Sequence, residues 1–258
     1  MKIAVTGKGG VGKTTLTSLL AYAYVESGYK VLAIDADPSP CLGAALGFSQ
    51  DDLDQLTPIA NMDELIYERT GAQPGTTGGF FKLNPRVDDL PDRFSIVQED
   101  IRLLELGAVE MGGSGCICPE SAMLKTLVTH VLLRRDEVVL LDMYAGVEHL
   151  GRATASAVDA MLIVVEPTAR SLGTAKQIKS LAQDINLSQL YIIGSKIRDD
   201  SDRDFIESNS PELDVIGYLP VDERVIEADR SGAAIYKLSP EMAAEGAKIA
   251  RSLIGDKG

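Results

Sequence analysis

The chain has 258 residues, of which 45% are hydrophobic and 24% charged, and its net charge is −13. The apolar fraction excludes a disordered chain, and the acidic balance argues against broad binding to DNA or anionic lipid. No apolar run reaches the roughly 18 residues of a membrane span, and a glycine-rich stretch follows Met1–Val5 too closely for a signal peptide. We therefore expect a cytoplasmic protein with reduced thiols and without nucleic-acid or membrane partners.

Short apolar runs rich in β-branched residues alternate with helix-like stretches along the chain. The predicted strands are Lys2–Thr6, Lys30–Ile34, Phe94–Val97, Ile101–Leu106, Val138–Leu141, Met161–Val165, Leu190–Ile193 and Val215–Leu219. The predicted helices are Lys13–Ser27, Pro119–Leu133, Leu172–Asp184 and Pro240–Ile254. This alternation predicts one α/β domain over residues 1–258, with a mostly parallel central sheet and helices on both faces. Glycines and prolines predict an irregular insertion over about residues 70–92.

The segment after the first predicted strand carries a phosphate-binding motif. Gly7–Thr14 matches G-x-x-x-x-G-K-[ST] and lies between a strand and a long helix, as the motif requires. Its glycines let backbone N–H groups converge on an anion at the positive end of the helix dipole. Lys13 is predicted to neutralise the β- and γ-phosphates, and Thr14 to place its hydroxyl on Mg²⁺. The predicted nucleotide contacts in this loop are Gly9, Gly10, Val11, Gly12, Lys13, Thr14 and Thr15.

A second lysine, Lys8, stands inside this glycine turn. It cannot easily fold back onto the nucleotide that Lys13 contacts, and the segment resembles the deviant Walker A motif of the nitrogenase-iron-protein, MinD and ParA class of P-loop ATPases. In that class the first lysine crosses a two-fold interface to the partner's phosphates, as an arginine finger does elsewhere. The resemblance implies an ATP-dependent homodimer in which Lys8 is catalytic in trans; the alternative is a solvated lysine.

Two carboxylate motifs follow predicted strands, at the edge where α/β sheets place ligands. Asp-Ala-Asp-Pro at 35–38 resembles switch I of the same class. The resemblance implies that Asp37 orients the attacking water, while Asp35 supports Mg²⁺ without contacting it. Asp142 ends an apolar Walker B strand and is predicted to hold a Mg²⁺-bound water, and the N–H of Gly146 to sense the γ-phosphate. The alternative is that these carboxylates cap helices or face solvent.

Two further segments are predicted to form the base pocket. Gly-Ser-Lys at 194–196 follows a predicted strand where members of the class carry Asn-Lys, so Ser195 departs from the pattern and puts base selectivity in doubt. Leu219–Asp222 resembles the loop that covers the adenine from the other side. The alternative at both places is an ordinary strand-to-helix turn. The predicted contacts are Ser195, Lys196, Pro220, Val221 and Asp222.

Two of the three cysteines, Cys116 and Cys118, lie on a glycine-rich loop at 112–118 before a predicted helix. Thiols at i and i+2 can face one way, but they supply two ligands where a closed thiolate site usually has four. Two copies of the chain would supply four across a two-fold axis. The alternative is a pair of small core residues, which the neighbouring glycines and serine disfavour. We expect Cys41, after switch I, to be buried rather than a ligand.

Over nearly its full length the chain resembles the CooC-type family of nickel-insertion ATPases, which mature carbon monoxide dehydrogenase. The resemblance rests on the phosphate loop and on residues 35–38, 41–43, 83–88, 112–118, 141–143 and 145–150. It implies that Mg-ATP closes a dimer whose thiolates hold one metal ion, and that hydrolysis releases this ion to the client. The implied cofactors are ATP/ADP, Mg²⁺ and Ni²⁺, with Zn²⁺ an alternative at the thiolates. The implied partners are a second copy and carbon monoxide dehydrogenase, or a related nickel enzyme such as acetyl-CoA synthase.

Alternatives with the same ATPase frame stay open. An iron–sulfur carrier or ATP-driven reductase would bridge a cluster across the dimer, although nitrogenase-type reductases carry a cysteine after switch II and this chain has none after Cys118. A MinD- or ParA-like positioning ATPase needs an amphipathic membrane helix or a basic DNA face, and we expect Ala247–Ile254 to cover the core instead. Tyr144, where glycine is usual, is a second departure. We expect His130 and His149 to be structural, with metal ligation the alternative for His149.

Overall fold

The computed structural model describes residues 1–76, 80–107, 118–130, 136–143, 158–184, 187, 189–210 and 213–255. The strands of this part of the chain are β1 (Lys2–Gly7), β2 (Lys30–Ala36), β3 (Ile96–Gln98), β4 (Ile101–Glu105), β5 (Glu137–Met143), β6 (Ala160–Val165), β7 (Leu190–Ile197) and β8 (Asp214–Pro220). They form a single sheet in the order β3-β4-β2-β5-β1-β6-β7-β8, parallel except for the pair β3–β4.

Helices of the described residues cover both faces of this sheet. They are α1 (Lys13–Glu26), α2 (Leu42–Ala45), α3 (Gln50–Leu53), α4 (Asp63–Thr70), α5 (Leu90–Phe94), α6 (Pro119–His130), α7 (Ala169–Asp184), α8 (Asp200–Asn209), α9 (Arg224–Ser231), α10 (Ile235–Leu238) and α11 (Pro240–Gly255). The predicted single α/β domain is confirmed. None of the described helices is long and apolar enough to cross a membrane.

Two cores form because the inner strands are apolar on both faces. In β1, Ile3 and Val5 point into a core with α1 and α11, while Ala4 points into a second core with α6 and α7. Helix α11 lies directly on α1, and Gly246 permits this because a Cβ there would meet the Cβ of Leu19 at 2.9 Å. The C-terminal helix therefore buries its apolar side in the protein, as expected for Ala247–Ile254.

Strand β1 lies at the switch point of the sheet. The chain leaves β1 toward β2 on one side, and β6, β7 and β8 lie on the other. In open α/β sheets, ligands bind at the carboxyl ends of strands beside such a point. The register places Asp35 of β2 directly opposite Asp142 of β5, and Val5 of β1 opposite Asp142 on its other side. Both carboxylates therefore lie beside the loop that follows β1.

The structure corrects several predicted boundaries. Phe94, predicted as strand, ends α5, and β3 begins only at Ile96. Leu106 lies beyond β4, although its N–H still donates to the carbonyl oxygen of Asp35 at 2.9 Å. Helix α6 is described as far as His130, and its predicted continuation to Leu133 lies outside the described residues. The short or polar helices α2, α3, α4, α5, α8, α9 and α10 were not predicted, because they lack a sustained apolar period.

Candidate nucleotide and metal site

The loop between β1 and α1 forms a cradle for an anion. Gly12, the residue before α1, has φ of 100°, a left-handed conformation that favours glycine. A Cβ at Gly7 would collide with the carbonyl oxygen of Val164 on the neighbouring strand. The ammonium of Lys13 donates to the carbonyl oxygen of Lys8 at 3.4 Å and so lies over the loop. The loop therefore combines a helix N-terminus with a cation, which suits phosphate.

The predicted contacts within the loop differ in exposure. Lys8, Gly9 and Gly10 are exposed, whereas Val11 is fully buried and anchors the loop in the core. Thr15 is half-buried at the start of α1. Val11 can therefore contact a ligand only through its backbone, while the side chain of Lys8 extends from the loop into solvent.

A buried carboxylate with a free oxygen faces the start of α1. The Thr14 hydroxyl donates to Oδ2 of Asp142 at 2.6 Å. Asp142 is 2% exposed, and its Oδ1 has no hydrogen-bond partner among the described residues. Burial raises the pKa of Asp142 to about 7, and the nearby charge of Asp35 adds to this effect while the Thr14 hydrogen bond opposes it. A hydroxyl beside an unsatisfied carboxylate oxygen fits a hard divalent cation, so these two residues are compatible with Mg²⁺.

Asp35 is committed to the backbone of the loop that follows it. Its carboxylate is fully buried and accepts the N–H groups of Asp37 at 3.0 Å, Cys41 at 2.9 Å and Leu42 at 2.8 Å. Burial nevertheless raises the pKa of Asp35. Asp37 is half-buried, and its carboxylate accepts only the N–H of Ser39 at 2.9 Å among the hydrogen bonds of the described residues. Asp35 thus shapes the loop on which Asp37 is presented; its predicted effect on Mg²⁺ stays a prediction.

Cys41 is exposed, and the expectation that it is buried was wrong. Its N–H donates to the buried carboxylate of Asp35 at 2.9 Å, which fixes the backbone at this residue. Its sulfur lies 3.5 Å from the Thr14 hydroxyl oxygen. Partial burial of the sulfur raises the pKa of the Cys41 thiol, and the charges of Asp35 and Asp142 act in the same direction.

Ser195 and Lys196 lie inside β7 rather than after it, which corrects the predicted strand end. A bulge lies between Gly194 and Ile197, and Lys196 has φ of 58°. Ser195 is 5% exposed, and its hydroxyl oxygen would lie 3.0 Å from a Cβ at Gly12. The strand therefore continues past the phosphate loop and packs against it.

The side chain of Lys196 braces the phosphate loop. Its ammonium donates to the carbonyl oxygen of Gly10 at 2.7 Å and pairs with Glu166 at 2.5 Å. Glu166 follows β6 and was missed by the sequence reasoning. The available signal was its place directly after an apolar strand at the ligand edge, the same signal that identified Asp35 and Asp142.

The segment at 220–222 is tied to the protein at both ends. The N–H of Val221 donates to the carbonyl oxygen of Ile197 at 3.0 Å, while its side chain is 56% exposed. The Asp222 carboxylate accepts the Arg224 guanidinium at 2.8 Å and the Ser239 hydroxyl at 2.5 Å. The Arg224 hydrogen bond lowers the pKa of Asp222 to about 2. Pro220 ends β8.

Cys118 lies directly before α6 and is half-buried. Its sulfur lies 3.0 Å from the Ser121 hydroxyl oxygen and accepts the Ser121 N–H at 3.4 Å, a contact that caps the helix. Cys116, Tyr144, Gly146 and His149 lie outside the described residues. Within the described ranges, no group of three or more His, Cys, Asp or Glu side chains could hold a metal ion.

Helix α6 connects the cysteine position to β1. At its far end the Lys2 ammonium donates to the carbonyl oxygen of Thr129 at 3.0 Å and to that of Val128 at 3.5 Å. Burial lowers the pKa of Lys2, and the charge of Asp159 opposes this effect. Cys118 is therefore linked through one helix to the strand that opens into the phosphate loop.

A glycine-rich loop at the switch point, a following helix and two facing strand-end carboxylates define a P-loop ATPase. The chain belongs to the CobQ/CobB/MinD/ParA nucleotide-binding domain family, whose model matches residues 2–235. It is 48% identical to the carbon monoxide dehydrogenase accessory protein CooC of Rhodospirillum rubrum, over 93% of this chain and 91% of that protein. It is also 45% identical to an ATP-binding protein of Methanocaldococcus jannaschii, with 98% of each chain covered.

Solved structures agree with this fold. The MinD cell division protein of Aquifex aeolicus superposes with a TM-score of 0.70 at 23% identity, covering 98% of this chain and 97% of that one. At this identity the likeness concerns the fold alone.

Proposed function

We propose that this protein is an ATP-driven metal carrier that delivers nickel to the active-site cluster of carbon monoxide dehydrogenase. The observation that carries the proposal is the 48% identity to the R. rubrum accessory protein CooC over 93% of the chain. Such a carrier requires a nucleotide site, a metal site and a connection between them.

In the proposed nucleotide site, the N–H groups of residues 9–15 surround the phosphates, and Lys13 neutralises their charge. Thr14 and Asp142 would hold Mg²⁺, which offsets charge on the phosphate oxygens when bound. Asp37 orients the attacking water on the loop that Asp35 anchors, and the Gly146 N–H contacts the γ-phosphate. The base lies near Ser195 and residues 220–222. The Oδ1 of buried Asp142, which has no hydrogen-bond partner among the described residues, supports the cation position.

The proposed catalytic unit is a homodimer. Lys8 is exposed at the mouth of the phosphate loop and makes no described side-chain hydrogen bond or ion pair, so its ammonium is available to a facing subunit. There it would stabilise charge that develops on the partner's phosphates during hydrolysis. Neither Lys13 nor Lys196 can take this part, since both ammonium groups contact carbonyl oxygens of the phosphate loop in their own subunit.

In the proposed metal site, Cys116 and Cys118 of two subunits together provide four thiolates for one ion. Nickel is the cargo that the CooC likeness favours, while zinc would bind the same ligands with a tetrahedral rather than square-planar geometry. Helix α6 is the proposed connection, because it begins next to Cys118 and its last turn is bonded to Lys2 of β1. Closure of the nucleotide site would thus move the cysteine pairs toward or away from each other.

Metal titration tests this proposal. With a non-hydrolysable ATP analogue and an excess of Mg²⁺ that keeps the nucleotide sites occupied, we expect one Ni²⁺ per dimer, and in the Cys116→Ser variant a large loss of affinity. Addition of ATP to the nickel-loaded protein should activate nickel-free carbon monoxide dehydrogenase. Another stoichiometry, or unchanged binding by the variant, would contradict the shared site. Visible absorption of anaerobically purified protein would indicate an iron–sulfur carrier instead.

A further inference from the structure

A thiol lies at the cation position of the nucleotide site. The Thr14 hydroxyl contacts two groups at once: it donates to Oδ2 of Asp142 at 2.6 Å, and its oxygen lies 3.5 Å from the sulfur of Cys41. Carboxylate, hydroxyl and thiol therefore converge on one point beside the phosphate loop. This cysteine is on the loop after β2, whereas Cys118 precedes α6. The two thiols thus belong to different parts of the site.

An independent observation indicates that this point receives a cation. Asp142 is 2% exposed, and its Oδ1 has no hydrogen-bond partner among the described residues. A buried carboxylate oxygen without a partner carries a desolvation cost that a bound cation removes. The Asp142 carboxylate is thus an unsatisfied ligand, and the Thr14 hydroxyl that it accepts from also contacts the exposed sulfur of Cys41.

The sulfur is presented by a rigid backbone. The N–H of Cys41 donates to buried Asp35 at 2.9 Å, and its carbonyl oxygen accepts the N–H of Ala45 at 3.1 Å in the first turn of α2. Asp35 also holds the next residue, Leu42, at 2.8 Å. Only the side-chain torsion of Cys41 is left to adjust when a cation enters.

We propose that this position binds a thiophilic divalent cation, such as Cd²⁺, Zn²⁺ or Ni²⁺, together with the nucleotide and in competition with Mg²⁺. The ligands are the Cys41 sulfur, the Asp142 carboxylate and phosphate oxygens of the nucleotide. Mg²⁺ prefers oxygen and gains little from sulfur, whereas softer cations form strong bonds to thiolate. On binding, the S–H bond breaks, its proton passes to solvent and a sulfur–metal bond replaces it.

This inference goes beyond metal delivery, since it concerns the nucleotide site alone. Its consequence is that an excess of a soft divalent cation displaces Mg²⁺ and slows ATP turnover. The chain would then stop hydrolysing ATP when such a cation is plentiful, whatever the cysteines before α6 bind.

A single-thiol protein provides the test. The chain has three cysteines, so the Cys116→Ser/Cys118→Ser background leaves Cys41 alone. Cd²⁺ is titrated into this protein with a non-hydrolysable ATP analogue, and the ultraviolet cadmium–thiolate absorption is recorded. The matched control carries Cys41→Ser in the same background, and circular dichroism melting verifies that both proteins are folded. An equilibrium competition assay with Mg²⁺ accompanies each titration.

We expect the absorption band to appear with nucleotide, to be lost in the Cys41→Ser control and to be reversed by excess Mg²⁺. The control should bind Cd²⁺ at least about tenfold more weakly, since even groups outside the ligand shell change metal affinity by such factors. Absence of the band, or a band that forms without nucleotide and resists Mg²⁺, would overturn the inference. Either result leaves the proposed nickel delivery untouched, because the background lacks Cys116 and Cys118.

Discussion

The two halves of the nucleotide site differ in how far their polar groups are already satisfied. On the side of β2 and β5, one oxygen of Asp142 has no hydrogen-bond partner in the part of the chain that the structure describes, and burial raises the pKa of Asp142 to about 7. On the side of β7 and β8, Lys196 already contacts Glu166, and Asp222 is bound by Arg224 and Ser239. The side of β2 and β5 therefore has a polar atom that a ligand can satisfy, whereas the charged groups named on the side of β7 and β8 are already paired within the protein. We infer that phosphate and cation contacts dominate nucleotide binding and that base selectivity is weak.

Asp142→Asn, on the side with the unsatisfied oxygen, should have the largest effect, and this effect is on ATP hydrolysis. The amide keeps the shape and can still accept from Thr14, but it removes the charge that a cation requires. We expect Mg²⁺-dependent ATP hydrolysis to fall about 10²- to 10³-fold, the loss seen when one electrostatic partner of a transition state is removed. Phosphate release measures it. Folding of the nucleotide-free variant should be retained, because the substitution also removes a buried charge. A variant with more than a third of the parental rate would contradict the assigned cation position.

Asp35→Asn should mainly affect stability. The buried carboxylate accepts three backbone N–H groups, and the amide can accept with only one oxygen. We expect a loss of about 3 kcal/mol in the free energy of unfolding, since hydrogen bonds to buried charged groups contribute about 1.5–3 kcal/mol each. Urea unfolding measures it.

The matched control is Asp37→Asn on the same loop. Its carboxylate is half-buried and accepts one described N–H, from Ser39. We expect a loss of less than about 1 kcal/mol, and equal losses in the two variants would refute the anchoring role of Asp35.

Glu166→Gln tests whether the ion pair on the side of β7 and β8 stabilises the phosphate loop for nucleotide binding. The ammonium of Lys196 would keep its contact with Gly10 but lose its charged partner. We expect nucleotide affinity to weaken about fivefold, because a partly exposed pair contributes up to about 1 kcal/mol. Calorimetric titration with an ATP analogue measures it.

A similar ion pair serves as the control, since Lys237 and Glu99 are 2.6 Å apart at the opposite edge of the sheet. Glu99→Gln should leave nucleotide affinity unchanged. If both variants bind alike, Glu166 has no role in the phosphate loop.

The sequence reasoning succeeded where the information is local. A phosphate loop and a carboxylate after an apolar strand are each complete within about eight residues, and parallel strands bring their ends together. It failed where distant residues decide the outcome. Glu166 and Lys196 meet only because β6 and β7 pair and a bulge turns Lys196 toward the loop. Cys41 is exposed on a loop whose backbone is bonded to Asp35, an arrangement that no periodicity shows. Helix α8 has only two apolar residues, Phe205 and Ile206, which is too few for a detectable period.

The smallest expected effect is on the free energy of unfolding and its dependence on pH, and it comes from Asp222 and Arg224 on the side of β7 and β8. The Arg224 hydrogen bond lowers the pKa of Asp222 to about 2 in the folded state. Because this lies below the value for an unfolded chain, about 3.9, the stabilisation is complete above about pH 5 and is lost progressively as the pH falls through about 2. Solvent screening limits it to about 1 kcal/mol. Arg224→Met should lower stability at pH 6 by that amount and at pH 2.5 by only about a third of it, which urea unfolding at the two pH values measures. An equal loss at both would mean that Arg224 acts through packing rather than charge. The second half of the site would then owe its rigidity to apolar contacts, and the contrast between the halves would no longer be one of satisfied and unsatisfied charge.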